Sequence, residues 1–145
     1  MVYNTDVLDM YSFTANTKAK FELVNITDQI NRLVAESKIK SGYALVFIPH
    51  TTAGIICNED EARLKNDILQ VIKTLKEKSW NFGGFAHDAD EGNAAAHIVA
   101  ALSGNSRGFI VRDGQLELGT WQSIMLLEMD GPRSRKVWIK IIRDS

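Results

Sequence analysis

The sequence predicts an α+β fold, in which one compact domain contains a mixed, largely antiparallel sheet and three helices. Segments with the period of a strand and segments with the period of a helix follow one another as strands, helix, strands, two helices, strands. Turn signals recur through the last third of the chain. The chain lacks the regular βαβ alternation and the glycine-rich phosphate loops that are typical of nucleotide-binding folds.

Length, charge and cysteine content set the class of protein. The 145 residues fit a single domain, 1–145. The net charge of −1 is mixed along the chain, so we expect no nucleic-acid partner. The chain shows no signal peptide and no apolar run long enough to span a membrane, and Cys57 has no partner for an internal disulfide. These features predict a cytoplasmic protein without a membrane partner.

The first elements are predicted from alternation and helix signals. Residues 7–14 and 19–24 are typical of strands around a turn at 16–18. Thr27 is predicted to cap the first helix, and Gly42 is predicted to stop it.

The middle of the chain contains the strongest apolar patterns. Residues 43–48 are nearly all apolar and predict a strand buried on both faces, and 54–57 predict a second strand. Residues 60–78 predict a long helix, and Asn93 is predicted to cap a short helix over 94–102. The apolar stripe of the long helix comprises Leu64, Ile68, Val71, Ile72 and Leu75.

The remaining predicted strands are 107–112, 115–118, 121–129 and 135–143, with turns at Asp113–Gly114 and Gly131–Pro132.

The three histidines, His50, His87 and His97, lie at element ends or in polar sequence. His50 follows the buried strand, and Asn93 shares a helix face with His97 because the two are four residues apart. Three imidazoles form a known catalytic zinc set with a fourth position open. The spacing matches no short metal motif, so three unrelated, hydrogen-bonded histidines remain the alternative.

Other polar residues have a functional and a structural interpretation. Thr51 and Thr52 would bind an anion or stabilise a turn. Glu59 follows a strand, so it would face His50 or favour the dipole of the long helix. Trp121 would stack on a ring substrate, beside the amide of Gln122, or pack in the core.

Charges crowd around the Gly131–Pro132 turn. Arg133 and Arg135 suit a phosphate because guanidinium presents a two-pronged donor set. Glu128 and Asp130 offer the alternative, an ion-pair network inside one chain or between subunits.

Several of these stretches together resemble a known family. They are 50–59 (HTTAGIICNE), Asp67, 87–97 (HDADEGNAAAH), 114–122 (GQLELGTWQ) and 128–135 (EMDGPRSR). In this order and spacing the sequence resembles the YjbQ-like family, also called secondary thiamine-phosphate synthases, from about residue 5 to residue 143. Residues 80–90 resemble it least.

The resemblance implies a compact homotrimer with a polar cleft that holds the three histidines, often described as a metal site. It also implies that Glu59 and Asn93 belong to the site. The implied activity joins a pyrimidine pyrophosphate to a thiazole phosphate and gives thiamine phosphate, as a secondary activity of a family whose main role is unsettled.

We therefore expect a small metal-assisted enzyme that acts on a phosphorylated heterocycle, and the resemblance implies that it is a transferase. His50, His87 and His97 would hold a divalent ion, expected to be zinc, and Glu59 and Asn93 would be catalytic. Thr51, Thr52, Trp121, Gln122, Arg133 and Arg135 would bind the substrate. The alternatives are a non-catalytic protein that binds a small anion or metabolite, and a metal-dependent hydrolase.

Overall fold

The computed structural model describes residues 9–145, which form eight strands, three α-helices and two short 3₁₀ turns. The strands are β1 (Asp9–Asn16), β2 (Glu22–Asn25), β3 (Ser41–Phe47), β4 (Ala53–Asn58), β5 (Ser106–Arg112), β6 (Gln115–Leu116), β7 (Ser123–Glu128) and β8 (Ser134–Arg143). The helices are α1 (Thr27–Glu36), α2 (Ala62–Glu77) and α3 (Ala94–Ser103), and the 3₁₀ turns are Ser79–Phe82 and Ala86–Ala89. The first two residues of the strand predicted over 7–14 lie outside the described residues.

The strands form two antiparallel sheets, which confirms the predicted α+β class with three helices. The larger sheet has the order β1-β8-β3-β5-β6, and the smaller has the order β2-β7-β4. In the smaller sheet β4 pairs with β7 over its whole length, from Ala53 opposite Glu128 to Asn58 opposite Ser123.

Two predicted turns, at 16–18 and at Gly131–Pro132, cross from one sheet to the other. The direct connections β1 to β2, β3 to β4, β6 to β7 and β7 to β8 each join strands of different sheets, so the strands on either side of them do not pair. Only β5 and β6 form a hairpin of consecutive strands within residues 9–145, at Asp113–Gly114. Sequence signals identified these turns but not the sheet to which each strand belongs.

The three-stranded sheet is the middle layer of the domain. Alternate residues of β7 point to opposite faces, so Ile124 and Leu126 pack against the five-stranded sheet and α1. Met125 and Leu127 pack on the other face, against α2 and α3. The strand buried on both faces is therefore β7.

The prediction that 43–48 is buried on both faces is wrong. β3 alternates, because Ala44 and Val46 are buried whereas Tyr43 and Phe47 are exposed. The open side is the outer face of the five-stranded sheet, which no helix covers in the described part of the chain. In α2, Val71 of the predicted apolar stripe is likewise exposed, while Ile72 is buried.

The predicted helix signals at Thr27 and Gly42 have other roles. Thr27 Oγ1 accepts the backbone N–H of Ile124 at 2.9 Å, which ties α1 to β7 instead of capping the helix. The helix stops where Lys38 adopts a left-handed conformation, with φ of 59°. Gly42 lies in β3, where a Cβ atom would come within 1.9 Å of the Ile142 carbonyl oxygen.

No helix among residues 9–145 is long and apolar enough to cross a membrane.

Candidate functional site

His50 lies in the segment that leads from β3 to β4, beside the start of β8. The backbone N–H of Ile48 donates to the Asn105 carbonyl at 2.7 Å, and this bond fixes the segment against the end of α3. The His50 Nε2 atom accepts the backbone N–H of Lys136 at 2.8 Å. An imidazole nitrogen that accepts carries no proton, so the neutral ring has its proton on Nδ1. His50 therefore presents an N–H donor to its surroundings.

The environment of His50 favours this neutral form. Burial lowers the pKa of His50, and the nearby positive charge of Arg135 lowers it further. Glu128 opposes the shift but does not reverse it.

A buried ion pair between Arg135 and Glu128 is hydrogen-bonded to Thr52, two residues after His50. Arg135 Nε donates to Glu128 Oε2 at 2.7 Å, and Arg135 Nη2 donates to Glu128 Oε1 at 2.5 Å. Thr52 Oγ1 accepts from Arg135 Nη2 at 2.9 Å, and Thr17 Oγ1 donates to Glu128 Oε2 at 2.9 Å. Burial acts to raise the pKa of Glu128, but the hydrogen bonds from Arg135, Asp130 and Thr17 outweigh it and hold the pKa below its ordinary value.

This geometry corrects the expected roles of Arg135 and Thr52. Arg135 is 4% exposed and its partner Glu128 is fully buried. The guanidinium and the Thr52 hydroxyl are both engaged inside the fold, so neither faces a ligand in this structure.

His97 on α3 lines two cavities. The first has a volume of about 440 Å³, and His50, Thr51 and Asn105 line it together with His97 and small residues of α3. The second, also about 440 Å³, lies between α3 and the turn Ala86–Ala89. Its lining residues are Gly84, Phe85, Ala86, His87, Ala94, His97 and Ile98. The structure thus brings all three histidines to one region.

His87 and His97 contact each other directly. Their ring centroids are 4.8 Å apart and the ring planes are nearly perpendicular, at 87°. His87 is exposed and His97 is half-buried.

Asn93 stands at the N-terminus of α3 but does not cap the helix with its side chain, contrary to expectation. Its Nδ2 donates to Glu91 Oε2 at 3.0 Å and to Asp130 Oδ2 at 3.3 Å. Asn93 is 6% exposed, and its Oδ1 is buried without a hydrogen-bond partner within residues 9–145. A buried acceptor without a donor is unfavourable and is a natural contact for a bound water or ligand.

Arg133 reaches the same region through Asp130. Arg133 Nη2 donates to Asp130 Oδ2 at 3.0 Å, and Lys20 Nζ lies 3.4 Å from Asp130 Oδ1. Burial acts to raise the pKa of Asp130, but hydrogen bonds from Asn93 and Arg133 and the charge of Lys20 hold it below its ordinary value. In contrast to Arg135, Arg133 is exposed, so a ligand can reach it.

Three predicted site residues lie at the opposite end of the three-stranded sheet. Glu59 follows β4, and Trp121 and Gln122 precede β7, beside the Asn58–Ser123 pair. The His50 segment precedes the Ala53–Glu128 pair, which is roughly 17 Å away along the strands. Trp121 is 72% exposed, and the Gln122 side chain accepts the backbone N–H of Gly119 at 2.9 Å. Within one chain these residues do not join the histidines.

The residues present do not form a ready metal site. Within the described chain no three His, Cys, Asp or Glu side chains are placed to hold a metal ion. His50 uses Nε2 to accept the Lys136 N–H and carries its proton on Nδ1, so neither nitrogen offers a lone pair to a metal.

Sequence reasoning missed Phe85, Asn105 and the capping role of Asp88. No motif marks Phe85 or Asn105, because each contributes by facing a cavity that only the folded chain creates. Asp88 was visible beside His87, but nothing in the spacing showed that its carboxylate accepts the Ala94 N–H at 2.8 Å.

The model of the family described as "UPF0047 protein YjbQ-like" matches residues 11–144. The chain belongs to the YjbQ-like UPF0047 family. UPF0047 protein MJ1081 of Methanocaldococcus jannaschii is 43% identical over 136 residues, which cover 93% of this chain and 95% of the relative. UPF0047 protein YugU of Bacillus subtilis is 39% identical over 130 residues, which cover 87% of this chain and 93% of YugU.

Solved structures of YjbQ-like proteins share the fold. A YbjQ-like protein of unknown function from Sulfolobus solfataricus superposes with a TM-score of 0.86 at 42% identity, covering 95% of this chain and 99% of its own. A YjbQ/UPF0047 protein from Clostridium acetobutylicum gives a TM-score of 0.83 at 41% identity, covering 91% and 99%. The function of the family is uncharacterised.

Proposed function

We propose that the two cavities lined by His97 form one site for a small phosphorylated metabolite, and that the protein is a transferase of the thiamine-phosphate synthase type. The observation that carries the proposal is the position of His97, which lines a polar cavity with His50 and a more apolar one with His87. A ligand with a phosphate at one end and a ring at the other matches two such compartments.

The polar compartment suits a phosphate. It presents the His50 Nδ1–H, the Thr51 hydroxyl and the Asn105 amide, and none of its lining residues within 9–145 is a carboxylate. Phosphate oxygens accept hydrogen bonds, so these donors stabilise the anion without a repelling charge. Arg133 is an exposed cation that is linked through Asp130 and Asn93 to the start of α3.

The second compartment suits the ring of the metabolite. Phe85, Ala86 and Ile98 supply apolar contact, and the paired rings of His87 and His97 stand at its edge. Imidazole is the side chain that enzymes use most often to move a proton, so this pair would take up or deliver one at the ring. The Asn93 Oδ1 would accept a hydrogen bond from a ligand or from a water between them.

The reaction would be a displacement of pyrophosphate. The thiazole nitrogen would form a bond to the methylene carbon of the pyrimidine pyrophosphate, while the carbon–oxygen bond to pyrophosphate breaks. Negative charge develops on the leaving oxygen, and hydrogen-bond donors placed there stabilise the transition state. The His50 N–H and the Thr51 hydroxyl would fill that role.

Calorimetric titration with pyrophosphate, followed by a turnover assay, tests the proposal. We expect binding to the wild type and a loss of about 10-fold or more in His50→Ala, since a hydrogen bond to a charged group contributes about 1.5–3 kcal/mol. Release of pyrophosphate from the two heterocyclic substrates should fall in the same variant. Unchanged affinity and turnover in His50→Ala would contradict the proposal.

A non-catalytic binding protein is the second candidate, and the unpartnered Asn93 Oδ1 favours it as much as an enzyme. Tight retention of pyrophosphate or of a phosphorylated heterocycle without any turnover would identify this case. A cytoplasmic location suits either function.

Metal binding by the three histidines would require His50 to rearrange. The contact between His87 and His97 supplies two neighbouring imidazoles, but His50 would have to release the Lys136 N–H before it became a ligand. Elemental analysis after reconstitution with zinc measures this directly. About one zinc per chain, lost in His50→Ala, would revive the three-histidine zinc site and the hydrolase alternative.

We also propose that the protein is a homotrimer that uses the outer face of the five-stranded sheet. Met10, Tyr43, Phe47 and Ile110 are exposed there, at 59%, 41%, 38% and 58%, and the half-buried Trp138 lies among them. Their exposed parts amount to roughly 400 Å² of apolar surface, near the apolar share of a standard interface of about 800 Å² per partner. Lys140 lies on the same face, opposite Met10 and Leu45, and a second copy would cover the apolar part of the patch.

A further inference from the structure

The segment that carries His87 is held to α3 by few contacts. Gly83 and Gly92 on either side of it have left-handed backbones, and a Cβ atom on either would meet nothing within 4 Å. Between them lies the turn Ala86–Ala89. Its Asp88 Oδ1 accepts the Ala94 N–H, at 2.8 Å, and this bond joins the turn to the first residue of α3.

We propose that Asp88 is a positioning residue that holds the ring of His87 against the ring of His97. Asp88 directly follows His87. Ala94 precedes His97 by three residues, so Ala94 and His97 lie on one side of α3. The hydrogen bond between Asp88 and Ala94 therefore joins the two backbone segments that carry the rings. With the bond in place, the ring centroids lie 4.8 Å apart.

The chemistry of the helix start explains why a carboxylate serves here. The first N–H groups of a helix have no partner inside the helix, and the helix dipole favours a negative charge at that end. Asn93 occupies the cap position but gives its amide to Glu91 and Asp130. Asp88 fills the vacant capping role from outside the helix, and in doing so it brings its neighbour His87 to the site.

This inference rests on the proposed function only where it assigns a use to the histidine pair. The distance that Asp88 sets between the two rings does not depend on any ligand.

The test compares Asp88→Ala, Asp88→Asn and the matched control Asp90→Ala. Asp90 is an exposed acid two residues further on, and its side chain makes no hydrogen bond or ion pair within residues 9–145, so its removal changes the charge of the segment but not the cap. The structural readout is the nuclear Overhauser effect between the ring protons of His87 and His97, with the His50 ring as an internal reference.

We expect the ring-to-ring effect to be lost in Asp88→Ala and kept in Asp88→Asn and Asp90→Ala, because an asparagine oxygen also accepts from a helix N–H. His50 signals should stay unchanged in all three. The positioning role is overturned if Asp88→Ala keeps the effect, or if a folded Asp88→Asn loses it. The second outcome remains decisive even where Asp88→Ala fails to fold.

Turnover on the same samples, measured as pyrophosphate release from the two heterocyclic substrates, separates the two proposals. A loss of roughly 100-fold in Asp88→Ala alone, the lower end of what general acid–base catalysis contributes, supports both. Loss of the ring contact with unchanged turnover would support the positioning role and count against the proposed use of the histidine pair.

Discussion

The two ends of the three-stranded sheet differ in how their polar residues are used. At the end near Ala53 and Glu128, charged and polar groups are buried and hydrogen-bonded to one another, and the cavity lined by His50 lies beside them. At the end near Asn58 and Ser123, Trp121 is exposed and the ties are surface bonds such as Asn25 Nδ2 to Asp60 Oδ2, at 2.8 Å. Residues from both ends carry the family resemblance, yet only the first end adjoins the proposed site within the described chain. The other end would join that site only through a partner chain, or would serve a purpose separate from the histidines.

The largest expected effect is on stability, and it comes from removing the buried ion pair at the Ala53–Glu128 end of the sheet. Arg135→Ala should lower the free energy of unfolding by on the order of 3–5 kcal/mol, because it leaves Glu128 buried without its counter-charge. Urea unfolding measures this loss. Arg133→Ala is the matched control, since Arg133 is exposed and its ion pair with Asp130 should contribute less than about 1 kcal/mol to stability. Equal losses in the two variants would show that the buried pair is not the support we describe.

The next effect concerns assembly. Phe47→Glu places a charge in the middle of the exposed apolar face and should convert the proposed trimer, near three times 16.2 kDa, into monomers. Sedimentation velocity at micromolar concentration measures the change. Val71→Glu, on the exposed face of α2, is the control and should leave the assembly intact. A wild type that sediments as a monomer would refute the assembly outright.

A smaller effect, on pyrophosphate affinity, distinguishes the two ends of the three-stranded sheet. Arg133→Ala should weaken pyrophosphate binding about 10-fold, because a guanidinium bond to phosphate contributes about 1.5–3 kcal/mol, while the melting temperature stays nearly unchanged. Trp121→Ala should leave the affinity unchanged in a monomeric background such as Phe47→Glu. If Trp121→Ala weakens binding only in the assembled wild type, the far end of a neighbouring chain completes the site.

The smallest effect is a pH dependence from His50. Burial and Arg135 lower the pKa of His50, so on acidification the unfolded chain takes up its proton first, near the ordinary pKa of about 6.5. The free energy of unfolding should therefore decrease as the pH falls below that value, down to the folded-state pKa. His50→Gln should lack this part of the decrease in urea titrations between pH 5 and 8. A variant with the full wild-type pH dependence would rule out His50 as its source.

The order of elements was predictable from the sequence, but the partners of the strands were not. Residues 43–48 have an apolar composition that predicted a strand buried on both faces, yet Tyr43 and Phe47 lie on an open face. The strand that is buried twice is β7, whose position depends on which sheet receives each strand. Turn residues predict a change of chain direction, but they do not indicate whether the next strand joins the same sheet.

The candidate site was likewise predictable from the sequence only in part. The sequence and the family resemblance predicted that the histidines meet, and His50, His87 and His97 do lie around two adjoining cavities. Arg133 and Arg135 were indistinguishable in sequence because both follow one turn. Only the fold shows that Arg135 points into the core towards Glu128 while Arg133 stays at the surface. The buried role of an arginine depends on a partner far away in space, which a local pattern does not contain.

The pairing of β1 with β8 has a consequence for how quickly the chain folds. Met10 lies opposite Lys140, so this ladder closes a loop of about 130 residues, and β2 and β4 also find their partner β7 only over long separations. Chains dominated by such distant pairings fold on the slow side of the range for small domains, typically in milliseconds to seconds. The order of events would then be set by the local elements, α2, α3 and the β5–β6 hairpin, with both sheets closing late.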